Sequence, residues 1–331
     1  MIITRTPFRV SFVGGGSDLP AFYRKNGGAV LSTTIDKYMF IAINSSFEAK
    51  KTQLKYSRTE LVDDINNIKH PIFREALKFY NVSGVELCSI ADIPSGNGLG
   101  SSSSFTVGLL LAINAYQGKS LTSEQLASLA CHIEMERLEE PIGKQDQYAA
   151  AYGGLNFITF RPDETVNVEK ISMSDEKKKE LEDNLLLVYV GGGRSASVIL
   201  QQQSQNLSLS DKFVAQQQIV ALAYNLRDAL QANNLDDFGR ILHENWLLKK
   251  TLATNISSEH INSIYEQGIA AGASGGKLLG AGGGGFILFY CPKEKQEKFC
   301  EAMKPYHRTP FKFDNSGSRI IYSQENSCHG F

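Results

Sequence analysis

Residues 94–104 read Pro-Ser-Gly-Asn-Gly-Leu-Gly-Ser-Ser-Ser-Ser and run directly into the apolar residues 105–113. Residues 85–90, just before them, alternate as a half-buried strand does. The order is therefore strand, glycine-rich turn, apolar helix. Glycine admits positive φ and close backbone approach. The first N–H groups of a helix have no partner within it, and the dipole there favours negative charge. Such a turn is a cradle for phosphate. Its candidate contacts are Pro94, Gly96, Asn97, Gly98, Leu99, Gly100, Ser101, Ser102, Ser103 and Ser104. No lysine follows the last glycine, so this is not a Walker A loop. The spacing and the position in the chain also differ from the dinucleotide fingerprint. Alone, the stretch implies phosphate binding, and a plain serine-capped loop would look the same.

Other segments could carry chemistry beside it. Gly14-Gly15-Gly16-Ser17-Asp18 breaks a strand at residues 10–13, and Ser17 or Asp18 could cap a helix beginning near Pro20. Residues 191–197, Gly-Gly-Gly-Arg-Ser-Ala-Ser, enter a helix and read as a capped helix start. Residues 277–285 hold five glycines and precede a strand at 286–290. Thr122 and Gln125 have the spacing of a capping box. The helix they open has Leu126, Leu129, Ala130 and Ile133 as its apolar stripe. At about 100° per residue, Glu134 and Glu136 fall on opposite borders of that stripe, and periodicity does not choose between them.

The elements that must position these residues follow from pattern. Strands are expected at 2–4 and 10–13 on either side of Pro7, and at 29–44, 53–57, 155–160, 185–190 and 319–322. Helices are expected at 70–80, 213–231, 235–249 and 258–271, with a short one at 299–305. Residues 161–184 are charged and poorly patterned, as a connection between domains would be. The glutamine runs 201–203 and 216–218 read as solvated faces. At 331 residues the chain exceeds the size at which one core stops growing, so two domains are expected. Lys plus Arg (34) balances Asp plus Glu (35) with no basic run, which argues against nucleic acid as a partner. The five cysteines are odd in number and form no CxxC pair, which fits a reducing compartment and offers no metal spacing. With neither a signal-peptide core nor a long apolar run, a cytoplasmic protein without a membrane partner is expected.

Three ordered stretches resemble the motifs of the GHMP kinases, the superfamily of galactokinase, homoserine, mevalonate and phosphomevalonate kinases. They are Pro7-Phe8-Arg9-Val10-Ser11-Phe12-Val13-Gly14-Gly15-Gly16-Ser17-Asp18, residues 94–104, and residues 277–285 with their strand. Within that superfamily, residues 14–20, 143–154 and 191–200 are most similar to the bacterial D-glycero-D-manno-heptose 7-phosphate kinases. The resemblance implies an α+β fold in two domains. Residues 1–165 would form an ATP-binding domain like domain 2 of ribosomal protein S5, and residues 166–331 a ferredoxin-like domain. It implies ATP and Mg²⁺ as cofactors and phosphorylation of the anomeric (C1) hydroxyl of heptose 7-phosphate to the 1,7-bisphosphate, for nucleotide-activated heptose synthesis. It leaves open whether the chain forms a homodimer.

The same resemblance implies residue roles. Asp146 would act on the acceptor hydroxyl, with Arg9 beside the reacting phosphoryl group. Mg²⁺ would sit on Ser102, with Ser101 close behind, and on Glu136, with Glu134 and Glu139 as neighbours for that role. Asp18 with Gly15, Gly16 and Ser17 would hold the sugar. Gly15 stands where galactokinases carry a glutamate, as suits an acceptor that is already anionic. Arg194, with Ser195 and Ser197, would clamp the 7-phosphate at a helix start. Residues 280–285, with Gly282 and Gly283, would pack against the phosphate loop and the acceptor. The alternatives are a fucokinase-like C1 kinase for an unphosphorylated sugar, or a non-catalytic sugar and nucleotide sensor on the same fold. The chemical residues argue against the sensor.

Overall fold

A computed structural model describes residues 1–48, 50–192 and 196–324. Among them, nine strands form one sheet and four form a second. The first sheet runs Arg319–Ser323, Ile2–Val13, Gly28–Ser45, Val85–Ala91, Thr52–Lys55, Thr59–Val62. Leu155–Phe160 and Phe313–Asp314 join it through Gly28–Ser45, and Val166–Lys170 joins through Leu155–Phe160. The 18-residue strand Gly28–Ser45 serves two neighbours in succession. Its residues 28–33 pair with Leu155–Phe160 and its residues 39–45 with Val85–Ala91.

Ile2–Val13 pairs antiparallel with Gly28–Ser45, and the register slips between Pro7 and Phe8. Proline has no N–H to give the ladder, so a bulge there is expected. Two residues beyond the slip stands Arg9. The helix Ser101–Tyr116 lies on the first two strands and is apolar nearly all round, as a buried helix must be.

The second sheet runs Arg308–Thr309, Leu185–Tyr189, Phe286–Tyr290, Gly275–Leu278, all antiparallel. The helices Phe238–Leu252, Glu259–Ala270 and Gln296–Ala302 pack there around Trp246, Tyr265, Phe289 and Phe299. Phe12 from the first sheet meets Phe238 edge-on at 5.2 Å, and Lys277 Nζ donates to the Phe12 carbonyl at 2.9 Å. The two sheets are thereby tied together beside Arg9.

The structure corrects several expectations. Residues 161–184 are not a bare connection: they hold the strand Val166–Lys170 and the helix Asp175–Asn184, which Ser174 caps. That helix buries only Leu181 and Asn184, so its sequence carries almost no apolar period. A division at residue 165 is not a division in space, because 166–170, 313–314 and 319–323 all belong to the first sheet. The helix Pro20–Asn26 has Leu19 at its N-cap with no side-chain cap. Ser17 bonds the Ala29 backbone instead, and Asp18 turns elsewhere. No helix among the described residues is long and apolar enough to cross a membrane.

Candidate active site

The sheets and their helices enclose a cavity of about 360 Å³, and the glycine segments meet on its wall. Ser101–Tyr116 starts at Gly100, whose φ is 72°, and no side chain caps it. Its first N–H groups thus open toward the cavity, where Ser101, Ser102 and Ser103 form part of the lining. A methyl group on Gly98 would lie 2.6 Å from the Leu279 carbonyl oxygen, and one on Gly280 would lie 2.4 Å from Gly98 Cα. The third glycine segment therefore packs backbone to backbone on the phosphate loop.

Arg9 is buried and holds Asp146 with two hydrogen bonds. Nε donates to Oδ1 at 2.7 Å and Nη2 to Oδ2 at 2.8 Å. Its Nη1 donates to the Gly98 carbonyl at 2.6 Å, and its backbone N–H to Leu99 at 3.0 Å. The strand, the phosphate loop and the helix Gln145–Tyr152 that carries Asp146 are fixed to one another by this single guanidinium. Asp18 is buried and accepts from the N–H groups of Gly16 (3.0 Å) and Gln145 (3.2 Å) and from Gln145 Nε2 (3.0 Å). Burial, then the charge of Asp146, pushes its carboxyl up. A methyl on Gly143 would sit 2.0 Å from Asp18 Oδ2, so the chain can pass Asp18 only as glycine.

Glu134 and Glu136 divide in a way that a regular helix does not show. After Ser123–Cys131 the helix widens to a π-turn over His132–Arg137. Each residue of a wider turn advances by less than the usual about 100°. This swings Glu134 onto the apolar stripe and Glu136 off it. Glu134 is 2% exposed and lines the cavity. It accepts from Gln147 Nε2 (2.6 Å), Thr106 (3.0 Å) and Ser102 (3.4 Å). Burial pushes its carboxyl up to about 7, against the hydrogen bonds from Gln147 and Thr106 and with help from Asp146. The Glu136 side chain is 72% exposed, bonds His132, and lies outside this cavity. Glu136, the expected metal position, therefore points away from the cavity, and its neighbour Glu134 faces it.

Other predicted residues divide similarly. Gly96, Gly98, Gly100, Gly15, Gly16 and Gly282 line the cavity. Ser17, Leu99 and Ser104 turn into the structure; the Ser104 hydroxyl bonds the Pro7 carbonyl. Asn97 Nδ2 donates to the Pro94 carbonyl, and the Gly283 N–H donates to Ile256. Arg194 and Ser195 lie outside the described residues, while the Ser197 hydroxyl bonds Glu140 at 2.9 Å. The glutamine runs are not wholly solvated. Gln203 and Gln216 are buried against the first glycine turn, and Gln216 Nε2 donates to the Gly15 carbonyl at 3.4 Å.

Sequence reasoning missed two buried lysines in the cavity, Lys249 and Lys277. Lys249 stands at helical spacing from Leu242, Asn245 and Trp246, on the buried side of Phe238–Leu252. A lysine inside an apolar stripe was the available signal. Among the described residues no three His, Cys, Asp or Glu cluster as a metal site. The cavity offers carboxylate and hydroxyl oxygens, an uncapped helix N-terminus and buried cations. That set can hold a polyphosphate against an alcohol and accept the alcohol's proton.

Residues 66–154 match the model of the GHMP kinases N terminal domain, and residues 226–307 that of the GHMP kinases C terminal. A D-glycero-alpha-D-manno-heptose 7-phosphate kinase of Campylobacter jejuni is 30% identical over 92% of this chain and 93% of its own length. A galactokinase of Pyrococcus furiosus is 26% identical over 91% of this chain and 92% of its own. The crystal structure of a D-glycero-D-manno-heptose 1-phosphate kinase from Bacteroides thetaiotaomicron superposes with a TM-score of 0.79 at 25% identity, covering 98% of this chain and 100% of that one. This chain belongs to the GHMP kinases and has their two-domain mixed α/β fold. It is a sugar kinase, a phosphotransferase acting on an alcohol group.

Proposed function

We propose that this kinase transfers the γ-phosphoryl group of ATP to the anomeric hydroxyl of D-glycero-D-manno-heptose 7-phosphate, giving the 1,7-bisphosphate. The observation that carries the reading is the two-point Arg9–Asp146 pair, set beside the uncapped helix N-terminus with Asp18 in the same cavity. The loop of Gly96, Gly98 and Gly100 and the N–H groups from Ser101 to Ser103 cradle the phosphates. Asp146 receives or orients the acceptor proton, held by Arg9 so that a carboxylate oxygen faces the hydroxyl. Asp18, fixed by Gly16 and Gln145, takes sugar hydroxyls.

Glu134 and Ser102 fit Mg²⁺. They are hard oxygen donors, and all three hydrogen-bond donors to Glu134 are neutral, so its buried charge has room for a cation. When bound, the ion offsets charge on the phosphate oxygens. The phosphorylated acceptor is supported by the name of the Campylobacter relative and by a glycine at position 15, which adds no carboxylate near the sugar. An ATP-consuming step of this kind belongs in the cytoplasm.

A coupled assay of ADP release tests the reading, with Mg²⁺-ATP and heptose 7-phosphate, free heptose, fucose, galactose or mevalonate as acceptors. Turnover should require heptose 7-phosphate and vanish in Asp146→Asn. Turnover on an unphosphorylated sugar alone would refute the acceptor, and an undiminished Asp146→Asn would refute the mechanism.

A further inference from the structure

Lys249 is a buried cation that the reading above leaves without a task. It is 6% exposed, and its Nζ donates to the Gly280 carbonyl. Gly280 lies against Gly98, whose carbonyl accepts from Arg9 Nη1. Lys249 and Arg9 are therefore anchored to the same pair of touching glycines, where the phosphate loop meets the third glycine segment.

The charged groups around Lys249 come from four elements. Arg9 faces it from the first strand, Asp18 from the glycine turn, Asp146 from the helix Gln145–Tyr152, and Lys277 from the strand Gly275–Leu278. Arg9 already uses three N–H donors on Asp146 and Gly98. The one hydrogen bond of Lys249, to Gly280, leaves two N–H groups without a partner among the described residues. No carboxylate there is in ion-pair contact with it either, although Asp18 and Asp146 share the cavity. An ammonium buried on one hydrogen bond costs stability. The chemistry that would repay it is an anion arriving between Arg9 and the phosphate loop.

We propose that Lys249 is a catalytic residue that hydrogen-bonds the phosphoryl group in transit and stabilises its negative charge. The inference rests on the reading that this cavity transfers a phosphoryl group beside Asp146. The bond between the acceptor oxygen and the γ-phosphorus forms as the bond from that phosphorus to the bridging oxygen of ADP breaks. The electron pair leaves on ADP and the acceptor proton goes to Asp146. Lys249 gives up no proton in this step. Burial, with the charge of Arg9, lowers its ammonium to about 8, so it is cationic at neutral pH and loses its charge in mild alkali.

The test compares wild type, Lys249→Met and Lys249→Arg in the ADP-release assay with saturating Mg²⁺-ATP, alongside thermal unfolding. Lys249→Met should lower kcat about 100- to 1,000-fold. Its KM for the acceptor should change by less than about threefold. Its Tm should equal or exceed that of wild type, because a buried charge has gone. Lys249→Arg should recover much of the rate and carry activity to higher pH than wild type. The inference is overturned if Lys249→Met keeps its kcat. It is also overturned if only KM rises, and only for phosphorylated acceptors, which would give Lys249 to the acceptor's own phosphate. A fall in Tm that accounts for the lost rate, without rescue by arginine, would make the residue structural and overturn it too. Wild type inactive on every acceptor would instead refute the functional reading, and the inference with it.

Discussion

Replacing Gly98 by alanine should damage this kinase far more than replacing Gly96, although the two stand in the same turn with nearly the same backbone. Their φ angles are +81° and +83°. An L-residue held in the left-handed region costs about 1–2 kcal/mol, and both variants carry that cost. Around Gly96 a methyl group would meet nothing within 4 Å. At Gly98 it would lie 2.6 Å from the oxygen and 2.8 Å from the carbon of the Leu279 carbonyl. Both are backbone atoms and cannot rotate away, so the loops must part. Overpacking of this kind adds about 1–3 kcal/mol. The expected difference between the variants is about 2 kcal/mol, or roughly 30-fold in the unfolding constant. Urea unfolding at matched slope measures it, and KM for ATP should rise more in Gly98→Ala because the loop moves with the packing. Equal midpoints for the two variants would show that the phosphate loop and the third glycine segment do not bear on each other, and the account of the cavity wall would fall.

Three further outcomes follow from the same geometry. Glu134→Gln should cut turnover at least tenfold and raise the Mg²⁺ concentration needed, while Glu136→Gln leaves both unchanged in a Mg²⁺ titration; the reverse pattern would return the metal to Glu136. Glu134 also predicts a pH signature in the metal-free protein. Its carboxyl sits at about 7 when folded against 4.5 ordinarily, so its stabilising contribution is complete below about 4.5 and is lost as pH rises toward 7. Thermal unfolding should show this loss in wild type and not in Glu134→Gln. Gly143→Ala, with its methyl 2.0 Å from Asp18 Oδ2, should raise KM for the sugar and spare KM for ATP.

The three glycine segments and the strand–turn–helix order were legible because glycine and serine act through the backbone, which leaves a local pattern. Arg9, Asp18 and Asp146 could be named from a family resemblance, and the cavity brings them together. Glu134 was not separable from Glu136, because the choice depends on a π-turn that no spacing announces. Lys249 and Lys277 were hidden by distance along the chain, and each reaches the cavity only when the second sheet docks on Phe12. Gln203 and Gln216 were misread because a polar run looks solvated even when one member of it is packed against a glycine turn. The helix Asp175–Asn184 escaped because its charged residues face water on nearly every side.

The pairing of Ile2–Val13 with Arg319–Ser323 bears on how the chain is made. The strand that carries Arg9 is translated well before the neighbour along one of its edges, residues 319–323. Through that interval the nascent sheet presents unpaired N–H and C=O groups, the kind of edge on which other chains add strands. The closing strand is itself wholly exposed, with Ile320, Ile321 and Tyr322 on the surface. It contributes backbone hydrogen bonds and a cover for the edge more than it contributes buried area. A ribosome that stalls before residue 319 would thus release a chain with much of its catalytic wall encoded and an edge open to aggregation.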